Sequence, residues 1–246
     1  MVLASVLAAT LGGPFPLLCT PWTEEAKLDI PVLVKEAEYL DDCGTGGLIW
    51  PTAPEVADLD AQGDYEAGLT ALATRAVKPG AGFKARVTAI CCGATSAEAC
   101  ARAAKVERIA KATGASMAIL ARPPDDATNQ VMITEHYRAL ARVTTQPVII
   151  QTYNGKSPQP EVDVLVALAK EFPAIYGYVK EESPGLQVND RMVALLAHPE
   201  IKGVFSGWGG KGWVYQGTRI GTCGVISQRP AYAHLFVKIY NRMKAG

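Results

Sequence analysis

Short apolar runs alternate with longer amphipathic stretches along the whole chain, and turn residues separate them. The apolar runs cover residues 14–20, 47–51, 85–92, 116–121, 147–153, 175–180, 201–206 and 221–227. Most of them do not alternate with polar residues, which is the mark of strands buried on both faces of a parallel sheet. The stretches between them predict helices over 29–43, 60–76, 96–113, 129–143, 159–172, 186–197, 211–219 and 230–243. In the first helix Ile30, Leu33, Val34, Ala37 and Leu40 share a face. Asp29 stands at its cap position, Pro31 suits its first turn, and Gly44 ends it. Ser96 and Gly114 bracket the third helix in the same way.

Eight strand–helix units predict a closed parallel (β/α)8, or TIM, barrel forming a single domain over residues 1–246. An open doubly wound sheet normally uses fewer units, and no G-x-G-x-x-G follows the first strand. The Gly209-Gly210-Lys211-Gly212 run lacks the phosphate-loop spacing and reads as a strand-to-helix loop. The apolar start, 1–11, has no basic leader and reads as a short first helix rather than a signal peptide.

Composition narrows the partners. Lys plus Arg and Asp plus Glu both number 24, and no basic run stands out, which argues against nucleic acid and anionic membrane. No stretch reaches the roughly 18 apolar residues that a membrane span needs. The six cysteines form neither C-x-x-C pairs nor a Cys/His metal spacing, so they read as reduced thiols in a cytosolic protein. His136 and His234 fall on predicted helices and His198 ends one, so none supplies a metal constellation at a strand end.

In this architecture chemistry gathers at the C-terminal ends of the strands. Those ends offer Thr20, Thr52, Cys92, Arg122, Tyr153, Lys180, Ser206 and Ser227. Lys180 stands out because it closes an otherwise apolar strand. A poorly solvated lysine loses its proton more easily, and the neutral amine attacks a ketone to give an iminium. The iminium withdraws electrons and stabilises a carbanion on the next carbon as an enamine. Tyr153, ending the preceding strand, is a candidate proton shuttle, and Thr52 with nearby backbone N–H groups can meet a carboxylate.

At these residues the chain resembles the dihydrodipicolinate synthase / N-acetylneuraminate lyase family of Schiff-base aldolases. Five segments carry the resemblance in order: Thr20-Pro21-Trp22, the glycine-rich stretch 44–59 with Glu55, Tyr153-Asn154, Gly177-Tyr178-Val179-Lys180-Glu181, and the Gly-x-x-Gly-x-Ile-Ser of 221–227. The resemblance implies that Lys180 forms the imine and Tyr153 moves protons. It also implies that Thr52 and the Ala53 N–H hold the keto-acid carboxylate, and that Ile226 lines the pocket. It calls for no metal and no cofactor, a small 2-keto acid as substrate, and a homo-oligomer in the cytosol.

The departures are as specific. The family loop Gly-Thr-Thr-Gly-Glu is here Pro51-Thr52-Ala53-Pro54-Glu55, which loses a hydroxyl and two N–H donors. Arg122-Pro123-Pro124-Asp125 stands where synthases carry a relay tyrosine, and Gly155-Lys156-Ser157-Pro158 lacks their second-substrate arginine. Arg122, Lys156 and Lys211 are candidates to face a polar or anionic substrate tail. The chain stops after its eighth helix, without most of the family's helical C-terminal extension.

The leading reading is therefore a pyruvate-forming or pyruvate-using lyase, for instance an aldolase of a 2-keto-3-deoxy sugar acid. A dehydratase or hydratase of the same family, or a keto-acid-binding barrel without turnover, are its alternatives.

Overall fold

The computed structural model describes residues 10–246 apart from 154, 186, 228 and 229, with the backbone alone at 211 and 227. The helix expected over 1–11 lies outside the described residues except at Thr10 and Leu11, which are not helical.

Eight parallel strands form one sheet: β1 Gly13–Pro16, β2 Gly47–Trp50, β3 Arg86–Cys91, β4 Met117–Ala121, β5 Val148–Gln151, β6 Tyr178–Glu181, β7 Gly203–Ser206 and β8 Gly224–Ser227. Their order is β1-β8-β7-β6-β5-β4-β3-β2. The ring closes between β1 and β2 through a parallel bridge, Leu17 to Ile49, and the bonds Gly46 N to Pro14 O (3.0 Å) and Leu18 N to Ile49 O (2.8 Å). This is a (β/α)8 barrel.

The helices are α1 Ile30–Asp42, α2 Val56–Gln62, α3 Asp64–Ala76, α4 Ser96–Thr113, α5 Gln130–Ala141, α6 Val162–Glu171, α7 Gln187–Leu196, α8 Lys211–Tyr215 and α9 Ala233–Ala245. Asp29 caps α1 by accepting from Val32 N at 3.1 Å, as its position predicts. Asn129 caps α5 through Met132 N. The cap of α4 is Thr95 rather than Ser96: Thr95 Oγ1 accepts from Glu98 N, and the Ser96 hydroxyl is turned to His136 Nδ1 at 2.9 Å.

Three expectations change. The helix predicted over 60–76 is two helices, because Gly63 takes a left-handed φ of 83° and breaks the run. The last predicted helix residues before β8 form a π-helical segment, Gln216–Ile220, whose end at Gly221 shortens the strand expected from 221. The strand expected over 175–180 starts at Tyr178, since Ile175 and Tyr176 turn back to Phe172 O through their N–H groups.

Burial has two layers. Inside the barrel Phe15 and Phe205 meet edge to face at 5.0 Å, and Tyr178 lies 6.4 Å from Phe205. Between barrel and helices, side chains such as Leu33, Leu40, Leu69 and Leu140 are wholly buried. Each such aliphatic contributes about 1.5–3 kcal/mol of apolar transfer free energy. With the interior plugged, only the strand ends and the loops after them remain to form a site.

Candidate active site

Strand alternation decides where Lys180 goes. Glu181 faces the helix layer, where its carboxylate accepts from Arg191 Nε on α7 at 3.0 Å and from Thr152 Oγ1 at 3.0 Å. Its neighbour Lys180 must therefore face the barrel interior. Lys180 is 7% exposed and sits one step above Tyr178, toward the C-terminal mouth. Its Nζ lies 2.9 Å from Glu182 Oε2. The same oxygen accepts from Gln151 Nε2 at 3.0 Å, and Gln151 is the register partner of Lys180 on β5. Gln151 Nε2 also donates to Tyr153 O at 2.9 Å.

Tyr153 is 40% exposed, and its hydroxyl lies beside Gly155. Among the described residues the side chain at hydrogen-bond distance from Lys180 is thus Glu182, and Tyr153 is reached through Gln151. Sequence reasoning missed both Gln151 and Glu182. Their signals were present: a polar residue inside an apolar strand, and two acids directly after the lysine.

The loop after β2 is held by Glu55. Its Oε2 accepts from Thr52 N (3.0 Å), Thr52 Oγ1 (2.6 Å) and Thr20 Oγ1 (3.1 Å). Both donors of Thr52 point to Glu55 within the loop, so the expected contact with a substrate carboxylate would have to compete with Glu55. Thr20, in turn, accepts from Trp50 Nε1 at 3.2 Å. Thr20, Thr52, Pro54, Glu55 and Pro230 line a cavity of about 430 Å³.

Ala53 lies on another cavity of about 350 Å³, shared with Cys92, Arg122, Asp125 and Lys156. Asp125 bridges the two cations, at 3.2 Å from Arg122 Nη2 and 2.6 Å from Lys156 Nζ. Burial pushes the Cys92 thiol up, more than the nearby Arg122 charge lowers it. Ile226 is 2% exposed and pairs in register with Phe15, while Val225 beside it packs on Trp213 and Phe236 of the helix layer. Ile226 consequently faces the interior. Ser206 serves structure, donating to Gln216 Oε1 at 2.5 Å. The side chain of Lys211 and Asn154 lie outside the described residues.

A closed parallel barrel with a buried lysine at the mouth end of its sixth strand defines the class: a barrel protein whose chemistry belongs at the strand C-termini. No family model matches the chain. It is 27% identical over 217 residues to the 4-hydroxy-tetrahydrodipicolinate synthase of Methanococcoides burtonii, covering 87% of this chain and 69% of that protein. With the enzyme of the same name from Methylococcus capsulatus it shares 28% over 196 residues, covering 79% of this chain and 63% of the relative. In three dimensions it matches a prophage protein of the dihydrodipicolinic acid synthase family from E. coli K12, solved in complex with pyruvate. That match has a TM-score of 0.76 at 19% identity and covers 96% of this chain and 76% of the other. The chain is similar over most of its length to 4-hydroxy-tetrahydrodipicolinate synthases, and it shares their barrel fold.

Proposed function

We propose that the protein is a lyase that joins Lys180 to a 2-keto acid as a Schiff base and makes or breaks the carbon–carbon bond next to that carbonyl. The observation that carries this reading is Lys180 itself, 7% exposed and turned into the barrel mouth. An amine so placed is shielded from bulk water and fixed for attack on one carbonyl. The prophage relative with pyruvate supports the same substrate class.

Pyruvate is then product in the cleavage direction and donor in the other. The Ala53 N–H is the remaining loop candidate for the keto-acid carboxylate, and Ile226 packs against the imine. The competition of Glu55 for Thr52 favours a substrate whose affinity comes partly from elsewhere. Arg122, beside Ala53 in the second cavity, suits a polar or anionic tail.

Borohydride reduction in the presence of pyruvate, followed by peptide mapping, tests the reading. A single adduct on Lys180 is expected. Lys180→Ala is expected to lose adduct and turnover with an unchanged far-UV CD spectrum, and retained activity in that variant removes the proposal. The commitment of Thr52 to Glu55 also favours a second reading, a keto-acid-binding barrel without turnover. That reading predicts ligand-dependent melting with no product.

A further inference from the structure

Two acids follow Lys180, and the strand sends them to opposite sides. Glu181 is wholly buried and bound to Arg191, Thr152 and Ser183, so its charge belongs to the scaffold. Among the described residues Glu182 has no such anchor in the helix layer. Its backbone N–H is held by Thr152 Oγ1 at 3.2 Å, and its carboxylate returns to the lysine side, 2.9 Å from Nζ. Its side chain keeps 27% exposure against 8% for that of Lys180, so it stands between the buried amine and solvent.

Two contacts fix it there. Gln151 Nε2 donates to the same carboxylate oxygen at 3.0 Å and to Tyr153 O at 2.9 Å, which aims the amide. Gly207, just past β7, leaves room for the stem: a Cβ at that position would lie 2.8 Å from Glu182 Cβ. A carboxylate oxygen 2.9 Å from the reacting nitrogen lies within the roughly 2.6–3.2 Å reach of a general base. The half-exposed Tyr153 hydroxyl has no comparable contact with Lys180 among the described residues.

We infer that Glu182 is the acid–base catalyst of this site, carrying protons to and from Lys180 and the carbon beside the imine. The inference rests on the Schiff-base reading above. Glu182 first takes a proton from the Lys180 ammonium, and the freed amine forms a C–N bond as the carbonyl π pair moves to oxygen; a proton then passes from the new ammonium nitrogen to that oxygen, giving the neutral carbinolamine. Glu182 returns its proton to the carbinolamine hydroxyl, which leaves as water and gives the iminium. The carboxylate, ionised again, accepts a proton from the adjacent carbon and the C–H pair becomes the enamine. In aldol cleavage the same carboxylate takes the proton of the substrate hydroxyl as the carbon–carbon bond breaks. No oxidant, reductant or further reactant enters.

Exchange of the pyruvate methyl protons for deuterium, followed by NMR in D2O, reports the enamine step alone. It is read beside borohydride trapping on the wild type and on Glu182→Gln. The wild type is expected to give both the Lys180 adduct and exchange. Glu182→Gln is expected to keep the adduct at equilibrium and to lose exchange by about 10²-fold or more. An adduct in both proteins with exchange within about threefold of each other overturns the role of Glu182 and leaves the Schiff-base reading standing. No adduct and no exchange in the wild type removes that reading, and this inference with it.

If circular dichroism shows Glu182→Gln unfolded, Glu182→Asp replaces it. Drawing the carboxylate back by one methylene is expected to slow exchange about tenfold or more, and wild-type exchange there overturns the assignment.

Discussion

Tyr153 shows how far a residue type can be trusted before its surroundings are known. Resemblance makes it the proton shuttle; in the ligand-free chain it is 40% exposed and, among the described residues, meets the lysine cluster through its own carbonyl and Gln151. Tyr153→Phe is therefore expected to slow turnover by less than about tenfold, below the range of roughly 10²–10⁴ for loss of a positioned acid–base group. Steady-state kcat on the identified substrate measures it, and a loss beyond a hundredfold would return the shuttle to Tyr153. The residue types needed for Schiff-base chemistry were legible in the sequence because Lys180 breaks an apolar run. The partners Glu182 and Gln151 were not, since which oxygen meets Nζ depends on rotamers and on the neighbouring strand. Thr52 makes the same point in reverse: a hydroxyl in the right loop was already bound to Glu55, three residues on.

Among the elements, glycines decide what the hydrophobic pattern cannot. The pattern over 60–76 is helical throughout, yet Gly63 at φ 83° splits it into α2 and α3. Nothing lies within 4 Å of a Cβ there, so Gly63→Ala costs only the left-handed backbone strain, about 1–2 kcal/mol. Gly68, inside α3, is the opposite case. A Cβ on it would lie 2.5 Å from the Trp50 ring, so the helix can approach β2 only because no side chain is there. Gly68→Ala is expected to destabilise by about 1–3 kcal/mol through overpacking, although alanine is the better helix former. Urea unfolding of the two variants checks both figures. A stabilised Gly68→Ala would mean that the α3–β2 contact is looser than the structure shows. Strand and helix existence was readable from periodicity. The ends were not, because the turn of Ile175 and Tyr176 onto Phe172 and the π segment after α8 are tertiary arrangements.

At the scale of the whole molecule, two groups in the helix layer tie stability to acid. His136 is 2% exposed on α5, and burial, opposed by a bond to the Arg122 backbone, lowers its pKa from 6.5 to about 4. The unfolded chain takes up this proton first as pH falls. The contribution of the neutral ring is thus complete above about pH 6.5 and lost progressively down to about pH 4, up to about 3 kcal/mol. The melting temperature of the wild type should fall across that interval, and His136→Asn should flatten the fall. Parallel pH profiles for the two proteins would count against the assignment. Further down, Glu107 adds a second acid limb. Burial alone would raise its pKa, but the amide and hydroxyl of Thr145, with Lys111 and Gln146, bring it to about 2. Its contribution is therefore complete above about pH 4.5 and is lost as pH falls toward 2.

By itself the sequence determined the architecture. Eight runs apolar on both faces must be covered on both sides, and eight strand–helix units do this most simply as a closed parallel ring, with helices outside and the strands' own side chains inside. It also determined that a lysine stands next to the end of the sixth strand. Tertiary structure decided the rest: that Glu181 turns outward to Arg191 while Glu182 turns back to Lys180, that Thr52 is committed to Glu55, and that Asp125 bridges Arg122 and Lys156. Periodicity is a property of the chain and survives in any fold of it. The pairing of charges is a property of distances between strands and loops far apart in sequence, and those distances exist only once the barrel has closed.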